Sequence, residues 1–335
     1  MLPFRVPDIT LESKVAFLRQ PTSFPEPTYR VEAVETHMSW VFLTDNYAYK
    51  LKKPVHYEPL DFRAPESRHF YCEEEVRLNR RLAPDVYLSV EPLTVDSMNH
   101  LQLGGSGAAV DWLVKMCRLP MDQMLDYAIG NGEASVTDMD AIAARLAAFY
   151  RDCASVALDP ALYRQRLLTN IDNHRQELCF PDYQLPVRQI QDICIALRDV
   201  LQNEAARFDE RIKAGRIVEG HGDLRPEHIC LRPNLVIIDC LEFSRELRII
   251  DTADELAFLA LECERLGAAS LGLRLLETFR RISGDELPAP LVRFYRGYRA
   301  LLRAAIAVRH LKEEKFRYSP AWRQRAGEYL LLARQ

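Results

Sequence analysis

Two aspartates and two histidines lie close together in one short stretch of the chain. The segment HGDLRPEHICLRPNLVIIDCLEF contains His221, Asp223, His228 and Asp239, and the second aspartate ends a short apolar run. Phosphoryl transfer requires one carboxylate that orients the acceptor hydroxyl and others that hold Mg²⁺ against the phosphates. Two aspartates on either side of a tight turn are suited to this chemistry, although short acidic residues also cap turns.

The first third of the chain, which must position part of such a site, is rich in strand-forming residues. A helix is indicated over 66–82, where apolar residues recur at helical spacing before Pro84. β-branched and aromatic residues predict a hairpin around Thr44-Asp45-Asn46. Its strands are 34–43 and 47–51, and further strands are predicted over 86–103 and 110–116.

From Leu119 onward the pattern becomes helical. The helices expected there start with one capped by Thr137 and continue with 163–178, 187–213, 255–266 and 291–311. A short β-like island over 229–231 and 235–239 interrupts them. This layout predicts an α+β, two-lobed protein-kinase-like fold, with a small antiparallel sheet lobe carrying one helix and a larger helical lobe. The predicted divisions are an N-terminal extension (1–30), a nucleotide-binding lobe (31–116) and a helical lobe (117–335).

Composition excludes several classes of protein. The chain has 335 residues, a net charge of −4 and a pI near 6.1, so no overall basic field favours nucleic acid or an anionic membrane. No apolar run approaches the ~20 residues of a membrane span, and the start MLPFRVPDIT lacks the features of a secretory signal. Eight cysteines occur singly, without a C-x-x-C pair. We therefore expect a cytoplasmic protein.

The motifs in this chain resemble those of a known family. HGDL, followed by an isoleucine-containing strand and Ile238-Asp239, resembles the H-G-D-x-x-x-x-N and I-D-W/F-E motifs of aminoglycoside phosphotransferases and related small-molecule kinases. GHGDLRPEHICL, VIIDCLEF and RIIDTADELAFLALE look like an uncharacterised bacterial branch of that family, sometimes fused to an ATPase domain. The resemblance covers roughly residues 30 to 310.

The resemblance implies an ATP-dependent kinase that uses Mg²⁺, or Mn²⁺ in its place, to phosphorylate a hydroxyl of a small molecule. Asp223 matches the catalytic-loop aspartate and Asp239 the metal-binding aspartate, while His221 usually braces the loop and has a direct chemical role as the alternative. His228 replaces the usual metal-binding asparagine. Since Mg²⁺ rarely takes imidazole, either that contact is lost, His228 binds phosphate or a softer ion, or it packs within the loop.

A nucleotide kinase also needs a lysine for the phosphates and an acid that holds it. Lys50 and Lys52 share one face of a predicted strand; Lys50 matches the family lysine, and Lys52 is the alternative. The resemblance implies Glu75 on the following helix as the partner, with Glu74 as its rival. Without the later motifs, these residues would suggest only an exposed strand end and a solvated helix face.

Two further nucleotide contacts follow from the resemblance. The loop expected to cover the phosphates lacks glycine, so side chains such as Ser39 would replace backbone amides, or the loop is a plain β-turn. The connector VKMCRLP resembles the family hinge, where backbone groups of Met116 and Cys117 would meet adenine; an ordinary strand end is the alternative.

Three other functions remain open from sequence. A degenerate kinase-like scaffold would account for the missing glycines and for His228, and an AMP transferase could use the same fold. A metal-dependent hydrolase would use the histidines and aspartates as ligands, but it leaves Lys50 and Glu75 unexplained. The acceptor, which could also be a protein hydroxyl, is not encoded in any pattern of this chain.

Overall fold

A computed structural model describes residues 9–57, 60–313 and 316–334 of the chain. Contacts divide these residues into two compact units. Unit 1 contains the chain up to Met121 together with Val236–Ser244, and unit 2 contains Asp122–Leu235 and the chain from Arg245 onward. No helix among the described residues has both the length and the apolar composition needed to cross a membrane.

Unit 1 is built on a six-stranded antiparallel sheet. The elements of unit 1 are α1 (Leu11–Leu18), β1 (Glu32–Glu35), β2 (Ser39–Leu43), β3 (Tyr47–Lys52), β4 (His56–Tyr57), β5 (Leu60–Asp61), α2 (Pro65–Asn79), β6 (Tyr87–Val95), β7 (Leu101–Leu103), β8 (Ala108–Cys117) and β11 (Val236–Ile237). The strand order of the sheet is β1-β2-β3-β8-β6-β7, and β4 and β5 form a separate pair.

The predicted hairpin is present as β2 and β3, but its first strand is shorter than expected. The turn is closed by Thr44, whose N–H donates to the Tyr47 carbonyl at 2.8 Å. The predicted strand 34–43 is interrupted because Thr36 closes a second turn. Its hydroxyl oxygen accepts the Ser39 N–H at 3.0 Å, and its own N–H donates to the Ser39 carbonyl at 2.8 Å. Threonine favours such local hydrogen bonds over a continuous ladder.

Helix α2 packs one apolar face against the sheet of unit 1. Cys72 and Val76 lie in a cluster with Tyr87, Val114 and Met116 from β6 and β8. Full burial of a side chain of this size contributes about 1.5–3 kcal/mol, so this face fixes the rotation of the helix. That rotation also points Glu75, which is 0% exposed, into the unit.

Unit 2 is mainly helical. Strands β9 and β12 pair antiparallel, and α9 is buried along almost its whole length. The elements of unit 2 are α3 (Leu125–Gly130), α4 (Val136–Asp152), α5 (Pro160–Leu178), α6 (Val187–Asn203), α7 (Ala205–Lys213), β9 (Ile217–Glu219), β10 (Ile229–Cys230), α8 (Arg245–Arg248), β12 (Ile249–Asp251), α9 (Thr252–Arg265), α10 (Ala269–Ser283), α11 (Ala289–Arg309) and α12 (Pro320–Leu332). The α+β prediction is confirmed.

Two details of the predicted helices were wrong. The cap of α4 is Ser135 rather than Thr137, because Ser135 and Asp138 form a reciprocal capping box. The helix expected over 187–213 is two helices, α6 and α7, because the backbone leaves the helical region at Glu204 (φ −112°, ψ 24°). Apolar spacing continues across this break, so the pattern alone did not reveal it.

Candidate active site

Unit 1 brings charged side chains from three elements together. Strand β3 places Lys50 on one face, α2 supplies Glu75, and the segment after β11 supplies Asp239. Lys50 Nζ lies 2.8 Å from Glu75 Oε1 and 2.9 Å from Asp239 Oδ1. The three residues that the resemblance assigned to phosphate, lysine support and metal therefore form one cluster.

The second lysine of β3, Lys52, pairs with the other oxygen of the Glu75 carboxylate. Lys52 Nζ lies 2.6 Å from Glu75 Oε2 and also forms an ion pair with Glu242. The Lys52 side chain is 1% exposed and that of Lys50 is 16% exposed. Glu74, the rival of Glu75, pairs instead with Arg77 on the helix surface. Lys50 is thus the more accessible lysine and the one that reaches Asp239.

The charges of this cluster stabilise one another. Burial alone would lower the pKa of Lys50, but the carboxylates of Asp239 and Glu75 outweigh it and raise that pKa well above its usual value. Burial would raise the pKa of Glu75, but Lys50 and Lys52 lower it. Lys50 and Glu75 are therefore both charged at neutral pH, and Lys50 presents a permanent positive charge.

The backbone at Asp239 has an unusual conformation. Its φ is +60°, in the left-handed region that non-glycine residues rarely adopt. Two side chains hold the segment: the Asp239 N–H donates to Tyr87 Oη at 3.1 Å, and the Cys240 N–H donates to Asn79 Oδ1 at 2.9 Å. Strain of this kind concentrates at functional sites and persists only where the surroundings enforce it.

The carboxylates of this cluster fit a hard divalent cation. Asp239 is 44% exposed although it contacts Lys50, and Glu242 follows three residues later. Mg²⁺ in nucleotide sites typically takes one or two carboxylates and fills its remaining positions with phosphate oxygens and water. Asp239 meets this requirement, and Glu242 is a second carboxylate on the same segment.

The other three nucleotide candidates lie elsewhere on the sheet of unit 1. Ser39 is 3% exposed and opposes Lys52 in the β2–β3 register. Met116 and Cys117 end β8. The Cys117 N–H already donates to the Val86 carbonyl at 2.8 Å, so this backbone group is engaged within the unit.

In unit 2, the loop that contains His221-Gly222-Asp223, here called the HGD loop, follows β9. Glu255 of α9 holds this loop by hydrogen bonds. The Gly222 N–H donates to Glu255 Oε1, and Tyr150 Oη donates to Glu255 Oε2 at 2.7 Å. A Cβ at Gly220 would lie 2.6 Å from the Glu255 carboxylate, so only glycine allows this approach. Gly222 has a φ of +91°, which also favours glycine. Glu255 therefore fixes the backbone directly before Asp223.

Glu255→Ala should lower the free energy of unfolding. The change leaves the Gly222 N–H and the Tyr150 hydroxyl buried without this acceptor, which costs about 1–3 kcal/mol for each buried group. Denaturant titration followed by circular dichroism measures the loss. Tyr150→Phe, which removes only the hydroxyl, should cost less; equal stability of Glu255→Ala and wild type would contradict the anchoring role.

Asp223 is held by an arginine two residues along the loop. Arg225 Nη2 lies 2.9 Å from Asp223 Oδ2, and Arg225 also pairs with Glu227. Arg303 Nη1, from α11, lies 3.9 Å from Asp223 Oδ1. Burial would raise the pKa of Asp223, but the guanidinium groups of Arg225 and Arg303 lower it. Asp223 is therefore a carboxylate at neutral pH, as a group that accepts a hydroxyl proton must be.

Arg225→Gln should raise the pKa of Asp223. The folded protein holds this pKa below its usual 3.8, so the stability gained from ionised Asp223 is present above that pH and is lost as the pH falls. Arg225 is the largest of the charges that offset the effect of burial, so the pKa of Asp223 should rise when Arg225 is removed. Carbon-13 NMR titration of the aspartate carboxyls, with Asp223→Asn for assignment, measures the shift; an unchanged or lower pKa would contradict the pairing.

The two histidines of the loop are both buried. His228 Nδ1 lies 2.8 Å from the Asp223 carbonyl, and Arg225 Nη2 lies 3.1 Å from His228 Nε2. Because a carbonyl only accepts and a guanidinium only donates, His228 is the tautomer with the proton on Nδ1. His221 Nδ1 accepts the Asp223 N–H at 3.3 Å. Both imidazole rings thus hydrogen-bond within the loop. The unprotonated nitrogen of His228 that a metal would bind, Nε2, accepts a hydrogen bond from Arg225.

Several residues of these clusters were not singled out from the sequence. Glu242 stands inside the motif VIIDCLEF and Arg225 inside HGDLRPEH, so their positions were visible but their contacts were not. Lys52 was only an alternative to Lys50, whereas both lysines share Glu75. Glu255 and Arg303 lie on later helices, and no spacing rule links them to the HGD loop.

Comparison with known proteins identifies the fold. No protein-family model matches the chain. Uncharacterised proteins of Mycobacterium tuberculosis and Mycobacterium bovis are 34% identical to it over 285 residues, which is 82% of this chain and 54% of each relative. The chain therefore spans about half the length of these curated relatives.

Solved structures of similar architecture cover nearly the whole chain. The GDP complex of wild-type aminoglycoside 2'-phosphotransferase-IIIa has a TM-score of 0.52 at 14% identity, over 96% of this chain and 97% of its own. A choline/ethanolamine kinase family protein from Mesorhizobium loti has a TM-score of 0.52 at 15% identity, over 97% and 99%. Glucosamine kinase in complex with glucosamine, ADP and inorganic phosphate has a TM-score of 0.52 at 16% identity, over 98% and 83%. The structural similarity shows a shared fold.

Proposed function

Because the chain has the kinase-like fold of the aminoglycoside phosphotransferases and of the choline/ethanolamine and glucosamine kinases, we propose that it is an ATP-dependent phosphotransferase. It would transfer the γ-phosphoryl group to a hydroxyl of a small molecule or of a protein. Fold alone does not determine activity. The proposal therefore rests on the side chains of the two clusters.

The observation that carries the proposal is the cluster of Lys50, Glu75 and Asp239 in unit 1. A buried glutamate that holds a lysine, beside an exposed aspartate, is the combination that phosphate and metal binding requires. Lys50 would contact nucleotide phosphate, and Glu75 would keep the ammonium group in place. Asp239, with Glu242 as a further carboxylate, would hold Mg²⁺, which supplies charge neutralisation on the phosphates when bound.

Asp223 in unit 2 would act on the acceptor. Its carboxylate accepts the hydrogen bond of the acceptor hydroxyl and takes the proton as that oxygen bonds to the γ-phosphorus. The bond from the γ-phosphorus to the bridging oxygen breaks, and ADP leaves. Arg225 keeps Asp223 ionised and oriented before this step. The anchoring of the HGD loop through Glu255 supports the same assignment, because a base must be held in position.

Calorimetric titration of the purified protein with ATP, and separately with GTP, tests the nucleotide half of the proposal. We expect binding with Mg²⁺ or Mn²⁺ present and much weaker binding with EDTA. Absence of nucleotide binding under both conditions would contradict the proposal and favour a scaffold. Mass spectrometry of acceptors incubated with protein and ATP tests the transfer: a gain of phosphate supports it, and a gain of AMP contradicts it.

A further inference from the structure

Helix α11 places an arginine with few partners beside the candidate base. Arg303 Nη1 lies 3.9 Å from Asp223 Oδ1, and its Nε lies 4.0 Å from Glu262 Oε1. Nε is buried, and no atom of the described residues accepts a hydrogen bond from it. A guanidinium carries five N–H donors in a planar fork. Within the described part of unit 2, the N–H donors of Arg303 therefore have few acceptors, although this side chain is only 18% exposed.

The nearby carboxylates of unit 2 are already engaged by other groups. Glu262 accepts from Tyr329 Oη on one oxygen and from Arg265 Nε on the other, each at 2.7 Å. Glu227 pairs with Arg225, and Arg225 in turn holds the Oδ2 oxygen of Asp223. None of these acids offers Arg303 the short, two-oxygen contact that a guanidinium prefers.

A partly buried arginine in this situation favours an anionic ligand. Carboxylate and phosphate groups match the planar guanidinium fork with two parallel hydrogen bonds. Low exposure strengthens the attraction, because charges near the protein interior are weakly screened. The same charge repels a cationic ligand. With Asp223 already paired to Arg225, an anion placed at Arg303 also meets no unpaired negative charge on this loop.

We infer that Arg303 binds an anionic group, a carboxylate or a phosphate, on the acceptor whose hydroxyl lies at Asp223. This inference rests on the proposed function and adds the class of substrate. Because Arg303 and Asp223 are only 3.9 Å apart, the anionic group and the reacting hydroxyl lie close together on the acceptor. Hydroxy acids and phosphorylated sugars or polyols have this arrangement. Arg303 is thus a specificity-determining residue.

Inorganic phosphate is a suitable probe because it carries the required charge and geometry. The protein is first saturated with a non-hydrolysable ATP analogue and Mg²⁺, so that the nucleotide phosphate positions are filled. Phosphate is then titrated in a calorimeter. We expect wild type to bind it and Arg303→Gln to bind it at least about tenfold more weakly, the value of a hydrogen-bonded charged contact. Arg303→Lys, which keeps the charge without the fork, should be intermediate.

Arg293→Gln is the matched control, since it removes the same charge from the same helix at an exposed position. This variant should bind phosphate like wild type, and thermal unfolding checks that all three variants are folded. Phosphate binding that is absent in wild type, or equal in Arg303→Gln and wild type, would overturn the inference. Failure of the ATP analogue to bind would instead contradict the proposed function, and phosphate titration without nucleotide would still report on Arg303.

Discussion

Asp239→Ala should weaken the metal-dependent binding of ATP on the order of 100-fold or more. Loss of a residue that only hydrogen-bonds to a metal ligand commonly costs about 10- to 100-fold in metal affinity. Asp239 is proposed as a direct ligand, so the loss should be larger. Lys50 keeps Glu75 as a partner in the variant, so we expect unit 1 to remain folded. Calorimetry with Mg²⁺, and again with EDTA, separates the metal-dependent part of the affinity from the remainder.

A matched control for Asp239→Ala is available in the same unit. Asp61 has the same side-chain exposure of 44% and its carboxylate pairs with Arg63. Asp61→Ala should leave Mg·ATP affinity within about twofold of wild type, as expected for a surface change outside the cluster of Lys50, Glu75 and Asp239. Unchanged affinity in Asp239→Ala would place the metal at another carboxylate, and Glu242→Gln would then be the next variant to measure.

Asp223→Asn should reduce transfer by about 10²- to 10⁴-fold, the usual contribution of a positioned general base. Asparagine keeps the shape of the side chain and one oxygen that accepts from Arg225, so the loop should stay in place. Binding of ATP should be unchanged, because nucleotide contacts are proposed for unit 1. Single-turnover transfer of labelled phosphate, combined with calorimetry, measures both quantities.

The control for Asp223→Asn is Asp192→Asn, which makes the same chemical change at an exposed position of α6. This variant should show the transfer rate of wild type. Full turnover in Asp223→Asn would remove Asp223 as the base. A parallel loss of ATP affinity would indicate that the substitution disturbs more than the acceptor, and the role in transfer would then need a second variant such as Asp223→Glu.

Much of the fold was predictable because local patterns and packing agree. β-branched and aromatic residues mark β2 and β3, and the turn between them carries Thr44 and Asn46. The spacing of Cys72 and Val76 marks the apolar face of α2. The expected first strand was wrong because a local hydrogen bond of Thr36 competes with the hydrogen bonds of the sheet and closes a turn there. A single threonine does not change the periodicity of the sequence, so the pattern does not reveal this turn.

The site was predictable only where its residues are adjacent in sequence. The HGD and ID motifs placed Asp223 and Asp239 as candidates, but the choice between Lys50 and Lys52 stayed open because both point to the same face of β3. The structure shows that Glu75 lies between the two lysines, a fact of packing that no spacing contains. Arg303 could not be predicted for the same reason, since it is one of several arginines of α11, far along the chain.

The double pairing of Glu75 has a consequence for motion. If α2 moved away from β3, Glu75 would leave two lysines, one of them almost fully buried, without this counter-charge. Each lysine would keep one carboxylate, Asp239 for Lys50 and Glu242 for Lys52, but both would lose a counter-charge in a single displacement. Glu75 therefore couples the position of α2 to both lysines of β3, and an outward movement of this helix would disturb the whole cluster at once.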